Sequence, residues 1–296
     1  MLLPSNALRI RLSEPERSRA AQQRADAPLR CGILVEARYL AQAQPRGMAR
    51  ALTEAGHNVS VLDTSRAMLD IDNSRWLAGL DLVIARGRSA DLLARLSVAE
   101  AAGIPTLNRR QAIAAVLDKA HMATQLRAAG IPAPPTWIGD IGQLRREIPR
   151  TAYPLILKPV YGDNCRGICI VDTPRELDAV VWNEPCVIAQ RLLQNSGFDI
   201  KLYAVGEHMW AVRKPSPLYG GAAAVTTLAL PTAWRNLARQ CGELFGLQLF
   251  GVDCIEADGA LQVIEVNDFP NYSGIPGVDS ILAGHVTQYV QARRSA

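Results

Sequence analysis

Residues 251–270, GVDCIEADGALQVIEVNDFP, leave the chain little freedom in how it folds. Two apolar, alternating runs flank Asp258-Gly259, a pair suited to a tight hairpin turn. On the second strand Glu265 and Asn267 are two residues apart and share a face. A three-residue loop centred on Gly259 is expected to set Asp253 directly opposite Glu265. Acids at a strand end can simply face water, but Glu265 lies between Ile264 and Val266 in an otherwise apolar strand. Two carboxylates and an amide oxygen at one end of a hairpin form an all-oxygen set. Such a set suits Mg²⁺, which keeps several waters and bridges substrate phosphates. Asp253, Glu265 and Asn267 are therefore read as metal ligands.

Upstream of this hairpin the pattern changes once. Strand-like runs at 31–36, 58–63, within 77–87 and at 103–108 alternate with helix-like runs at 45–56 and 89–102, closed by Gly56 and Gly103. That alternation marks a small parallel α/β unit over 31–110. No Gly-x-Gly-x-x-Gly follows its first strand, so a dinucleotide site is not supported. Residues 109–129 read as helix, ended by Gly130, Pro132, Pro134 and Pro135. Beyond about 153, short apolar runs at 154–160, 167–172, 186–190, 199–206 and 209–213 group together, with helices expected at 174–182, 231–246 and 279–293. Grouped strands predict antiparallel sheets with helices on one face. The fold class is α/β to α+β. Its second unit spans 111–296, with a smaller part about 135–192 and a C-terminal part about 193–296. Residues 215–225, rich in Gly, Pro and Ala, are expected to be mobile.

Composition narrows the function. The chain has 296 residues, 49% of them hydrophobic, and a net charge of +4. Residues 1–30 carry six arginines against Glu14, Glu16 and Asp26, which leaves +1 for the remainder. That segment is expected to be a disordered tail. A near-neutral body argues against a nucleic-acid binder, and no apolar run of about 18 residues could span a bilayer. No apolar secretory core is present, and none of the six cysteines forms a Cys-x-x-Cys pair. A reduced, cytoplasmic protein without zinc is expected. Of 32 basic residues only four are lysines: Lys119, Lys158, Lys201 and Lys214.

Three further segments place those lysines. In YPLILKPVYGDNCRGICIV (153–171), a buried strand ends at Lys158-Pro159 and a polar loop runs between Gly162 and Gly167. Glycines let amide N–H groups approach a phosphate, and Lys158 adds a point charge. It is not a Walker A loop, since Gly-Lys-Ser/Thr is absent. In VLDKAHMATQLRAAGIPAPPT (116–136), Lys119 opens an amphipathic helix. In CVIAQRLLQNSGFDIKLYAVG (186–206), a strand enters Gln190-Arg191-Leu192-Leu193, and the next strand carries Asp199 and Lys201 on one face. None of the three is specific alone.

In this order and spacing the four segments resemble the ATP-grasp superfamily, chiefly its RimK-like glutamate ligase branch, over about 31–293. The resemblance implies an ATP-grasp fold with an N-terminal α/β domain. It implies an ATP-dependent carboxylate–amine ligase that forms an amide through an acyl phosphate, with a small-molecule or peptide carboxylate and an amine as substrates. ATP and two Mg²⁺ would be required, with Mn²⁺ as a substitute. Lys119 and Lys158 would hold phosphates, Leu192 and Leu193 would offer main chain to adenine, and Asp199 would lie near the ribose. Asp253, Glu265 and Asn267 would hold the metals, with Lys201 and Arg213 at the γ-phosphate. The family hinge usually reads Gln-Glu, here Gln190-Arg191, and its Asp-Ile-Arg is Asp199-Ile200-Lys201. KLYAVGEHMWAVRKPSP (201–217) and EVNDFPNYSGIPG (265–277) are also similar to inositol trisphosphate kinases, which implies as the alternative an ATP-grasp small-molecule kinase of the inositol polyphosphate kinase type, although the glycine those carry after Phe-Pro is Asn271 here. A ligase needs no enzyme nucleophile, and no Ser/His or Cys/His signature is present. Arg86, Arg88, Arg109 and Arg110 lie at strand ends of the first unit, where α/β sheets place ligands. They are either a carboxylate site or solvated surface. A homo-oligomer is the common state for such enzymes.

Overall fold

A computed structural model describes residues 27–162, 166–194, 196–218, 224–257 and 259–294. The expected tail therefore lies mostly outside the described residues, as does the middle of the 215–225 loop. Strands β1 (Arg30–Val35), β2 (Asn58–Asp63), β3 (Leu82–Arg86) and β4 (Thr106–Leu107) form a parallel sheet in the order β2-β1-β3-β4. The helices α1 (Ala43–Glu54) and α2 (Ala90–Ala101) connect them. β1 and β3 are buried almost throughout, as central strands covered on both faces must be.

The single helix expected over 109–129 is two: α3 (Arg110–Leu117) and α4 (Lys119–Ala128). Asp118 breaks it with extended backbone (φ −81°, ψ 98°), and its carboxylate accepts the His121 N–H at 2.8 Å. An aspartate that caps a helix is worth more at the N-cap than inside a continuous helix. The Lys119 N–H also donates to the Val160 carbonyl at 3.2 Å, which pins the start of α4 beside the Lys158-Pro159 segment.

The second sheet runs β5-β8-β6-β7, all antiparallel. It comprises β5 (Thr136–Gly139), β6 (Leu155–Pro159), β7 (Cys169–Val171) and β8 (Val187–Arg191), with α5 (Ile141–Glu147) and α6 (Pro174–Ala179). β5 and α5 go beyond the sequence reading. Four residues after Pro134-Pro135 are too few to show a period, and β5 is held by its long-range pairing with β8. One face of the sheet, with Leu155, Leu157, Val187 and Ala189, packs on Leu144 of α5 and Leu177 of α6.

The third sheet, β11-β10-β9-β12-β13, is also antiparallel. Its strands are β9 (Phe198–Val205), β10 (His208–Pro215), β11 (Thr226–Leu228), β12 (Leu249–Ala257) and β13 (Ala260–Asp268), with α7 (Thr232–Phe245) between β11 and β12 and α8 (Val278–Arg294) last. Helices were expected on one face only, and this sheet departs from that. One face packs on α3, α4 and α7 through Val116, Met122, Leu126, Cys241 and Phe245. The other, through Tyr203, Val205, Val212 and Leu249, shares a core with α8 and with Cys31, Ile33 and Val35 of β1. Asn108, 2% exposed, ties the two sheets: its amide donates to the Leu249 carbonyl at 2.7 Å and accepts from the Leu249 N–H at 3.0 Å. The ends of β3, β6, β9 and β13 thereby converge on one cleft.

Candidate active site

One wall of the cleft is the β9–β12–β13 face. Asp253 pairs with Glu265, but not through the expected three-residue loop. Ala257 faces Ala260 across a two-residue turn, of which Asp258 is outside the described residues. The register shifts between Cys254, opposite Val263, and Asp253, opposite Glu265. Ile264 is thus an extra, bulged residue, and the bulge turns both carboxylates to one side. The Asn267 amide donates to Asp253 Oδ2 at 3.3 Å. Lys201, opposite Asp253 on β9, meets Asp253 Oδ2 at 2.7 Å. Lys119 reaches from the start of α4 to Glu265, and Arg88 reaches from beyond β3 to Asn267 Oδ1.

Charge pairing decides protonation here. Burial pushes Glu265 up, yet Lys119 and Arg88 outweigh it and hold the carboxyl below its usual range. Burial pushes Lys201 down, yet Asp253 outweighs it and raises the ammonium above its usual value. Asp199 is raised by burial, against a hydrogen bond from Ser216 and the charge of Lys201.

The opposite wall is the second sheet's free face. Lys158 projects from β6 and donates to Gln190 Oε1 of β8 at 2.7 Å, while the Gln190 amide donates to Thr136 at 3.0 Å. Gly162 and Gly167 flank a loop whose residues 163–165 are outside the described set. Gly167 has φ +73°, and a Cβ on Gly162 would come within 2.7 Å of Pro159 Cγ, so side chains are excluded at both ends. At the hinge, Arg191 is exposed, and the Leu192 N–H is taken by the Pro154 carbonyl at 2.8 Å. Leu193 follows, half-buried.

A cavity of about 500 Å³ lies between the walls. Lys119, Lys158, Gly162, Asp199, Lys201, Asp253, Glu265 and Asn267 line it. The structure thus brings together most of the residues the sequence singled out.

Arg213 is not among them. Neighbouring strand residues face opposite sides, and Arg213 sits opposite Ile200, is exposed, and lies 4.8 Å over the Phe198 ring. Lys214, for which sequence reasoning had no role, is the one that faces in. It pairs with Asp199, lines the cavity and donates to the Tyr203 hydroxyl at 2.8 Å. Burial, then the charge of Lys201, lowers its ammonium. The signal was present: a two-residue Gly206-Glu207 turn fixes the register that sets Lys214 across from Asp199.

The first unit's arginines divide similarly. Arg109 and Arg110 are exposed, whereas Arg86 and Arg88 line the cavity. Arg86, 8% exposed, donates to Gln42 Oε1 at 2.9 Å and lies 4.2 Å over the Tyr39 ring. Tyr39 and Gln42 also line the cavity, in a segment that carries no readable motif.

The donor set fits a hard divalent cation. Among the described residues no three His, Cys, Asp or Glu side chains gather. Two carboxylates and an amide oxygen instead leave coordination positions for phosphate oxygens and water, the pattern of Mg²⁺ rather than of zinc.

The comparisons with known proteins agree with this geometry. Residues 116–272 match the model of the ATP-grasp domain. A probable alpha-L-glutamate ligase of Stutzerimonas stutzeri (strain A1501) is 28% identical over 277 residues, covering 83% of this chain and 90% of the relative. A RimK domain ATP-grasp protein from Sphaerobacter thermophilus DSM 20745 superposes with a TM-score of 0.71 at 20% identity, covering 88% of this chain and 99% of that one. The ATP-grasp ligase PsnB, in complex with a minimal precursor, Mg and ADP, superposes at 0.63 with 20% identity, covering 90% and 98%. The similarity to inositol kinases is not shown by these relatives. The chain belongs to the ATP-grasp family and is similar to carbon–nitrogen bond-forming ligases, among them proteins of the RimK-like kind.

Proposed function

We propose that the protein is a Mg²⁺- and ATP-dependent carboxylate–amine ligase that activates its acid as an acyl phosphate and releases ADP and phosphate. One observation carries this reading. A single cavity is lined both by Lys119, Lys158 and the Asp253–Glu265–Asn267 set and by further cations, Arg86, Arg88 and Lys214. A hydrolase of ATP needs only the first group; an acid substrate also needs cations to hold it.

Lys158 and Gln190 take the α- and β-phosphate side, with Gly162 and Gly167 beside it. The Leu193 main chain holds the adenine, and Asp199 the ribose. Asp253, Glu265 and Asn267 would hold two Mg²⁺, or Mn²⁺ in their place, and Lys119 would pair with the phosphates. The metal would neutralise phosphate charge and so favour transfer of the γ-phosphoryl group. Arg86 and Arg88 hold the acid so that its carboxylate oxygen faces the γ-phosphorus. Lys201 stabilises charge on the transferred phosphoryl group. The amine then attacks the acyl carbon, phosphate leaves, and no enzyme nucleophile is consumed.

The relatives' name supports L-glutamate as the first acid and amine to try. The site of action is the cytoplasm, in keeping with cysteines 31, 169, 186, 241 and 254 as free thiols. The test is hydroxylamine trapping. With ATP, Mg²⁺ and an acid panel led by L-glutamate and glutamate-ended peptides, an acid-dependent hydroxamate is expected. ADP release without hydroxamate for any acid would remove the ligase mechanism.

A further inference from the structure

Asn271 follows Pro270 just after the Glu265–Asn267 strand, and the proposed ligase steps do not use it. It lines the same cavity as Glu265, Asn267, Lys201 and Arg86. Its Oδ1 is buried and has no hydrogen-bond partner among the described residues. A buried acceptor without a donor costs free energy in the empty protein, and a ligand N–H recovers it.

The backbone holds this acceptor firmly. Phe269 and Tyr272, on either side of Pro270-Asn271, take positive φ values of 39° and 50°, which side-chain-bearing residues rarely adopt. Both are 1% exposed, and the Tyr272 hydroxyl donates to the Ala204 carbonyl at 2.9 Å. The rings of Tyr203 and Tyr272 pack at 5.4 Å. Packing over-determines the turn, the condition under which such conformations persist at functional sites.

The surroundings say what the acceptor is for. Among the described residues of this wall, Arg86 and Lys214 are cations, Asp253 meets Lys201, Glu265 meets Lys119, and Asp268 lies 4.0 Å from Arg88 Nε. The acid and the phosphates use the cations, so a neutral acceptor such as Asn271 Oδ1 suits the substrate group that donates, the amine.

We infer that Asn271 Oδ1 accepts a hydrogen bond from the attacking amine and aims its lone pair at the acyl carbon. This rests on the acyl-phosphate reading above. In the step, the nitrogen bonds to the acyl carbon, the carbon–oxygen bond to phosphate breaks, and the leaving phosphate oxygen takes the amine's proton, so that phosphate departs as HPO4²⁻. Asn271 binds and orients; it does not take the proton.

The test uses the full chain with ATP, Mg²⁺, N-acetyl-L-glutamate as acid, and either L-glutamate or saturating hydroxylamine as nucleophile. Hydroxylamine at molar concentration intercepts the acyl phosphate without an oriented amine site. Asn271→Gly is expected to raise the KM for L-glutamate about tenfold to hundredfold, while hydroxamate formation and the KM for ATP stay at wild-type values. Asn271→Asp, which keeps the acceptor, is expected to restore the amine KM to within about threefold of wild type. If Asn271→Gly leaves the amide rate unchanged, or lowers amide and hydroxamate rates together, the inference is overturned and the ligase reading stands. If the wild-type chain forms neither product, the reading and the inference fall together.

Discussion

The two walls of the cleft are built on opposite plans. The β9–β12–β13 wall is a lattice of paired charges: Lys201 with Asp253, Lys119 with Glu265, and Arg88 with Glu265 and Asp268. The second sheet's wall is mainly isoleucine. Ile156 and Ile188 flank Lys158 and Gln190, with Ile138 and Ile170 left 43% and 40% exposed on the same face. Exposed branched aliphatics on a cleft face are a surface awaiting an apolar partner, such as a base. The paired-charge wall is set for phosphate and metal, whose arrival replaces one set of ion pairs by another. One wall therefore grips by shape and the other by charge.

The largest effects should come where each wall concentrates its function in one side chain. Lys158→Arg should abolish ATP turnover, a loss of about 10³-fold or more, because a planar guanidinium cannot replace a compact ammonium at a crowded phosphate. Its melting temperature should match wild type, and a fully active variant would undo the assignment. On the charged wall, Glu265→Gln should cost about 10³-fold in kcat and also remove Mg²⁺-dependent thermal stabilisation in the presence of a non-hydrolysable nucleotide. Stabilisation by Mg²⁺ at wild-type strength would place the metal elsewhere.

A smaller effect separates neighbours on one strand. Lys214→Ala should raise the KM for the acid about tenfold, whereas Arg213→Ala, on the outer face, should stay within about twofold. The reverse order would restore Arg213 to the site. The charge lattice also predicts a pH dependence in the ligand-free protein. Glu265 is depressed in the fold, so its ion pairs stabilise above the usual glutamate range and that contribution is lost as pH falls through the folded value. Lys119→Met should flatten this acid-side fall in melting temperature; an unaltered pH profile would show that the pair contributes nothing. The mildest test concerns the cores behind the walls. Burial raises the Cys31 and Cys241 thiols to about 12, so a thiol reagent on the native protein should modify Cys169 and Cys186 before Cys31 and Cys241. Early labelling of Cys31 or Cys241 would show that those cores open.

The difference between the walls also explains what the sequence made legible. On the charged wall the chemistry is local: Asp253, Glu265 and Asn267 lie within one hairpin, and period-two alternation puts them on one face. Even there the pairing was reached for an incomplete reason, since the Ile264 bulge, not the loop length, sets Asp253 opposite Glu265. Bulges depend on packing across the sheet and leave no local pattern. The second sheet was only partly legible because β5 is four residues long and gains its place from β8, far along the chain. Arg86 with Tyr39 and Gln42 could not be assembled from sequence, because three separate positions meet only when the parallel sheet forms. Lys214 against Arg213 was decidable from the Gly206-Glu207 turn, which fixes strand parity.

The central claim is that a carboxylate oxygen attacks the γ-phosphorus before any amide forms. It can be read from the fate of that oxygen. With an acid carrying ¹⁸O in its carboxylate, plus ATP, Mg²⁺ and an amine, the released inorganic phosphate should contain one ¹⁸O for each amide formed. Amide formation with unlabelled phosphate, or ADP release independent of the acid, would contradict the account.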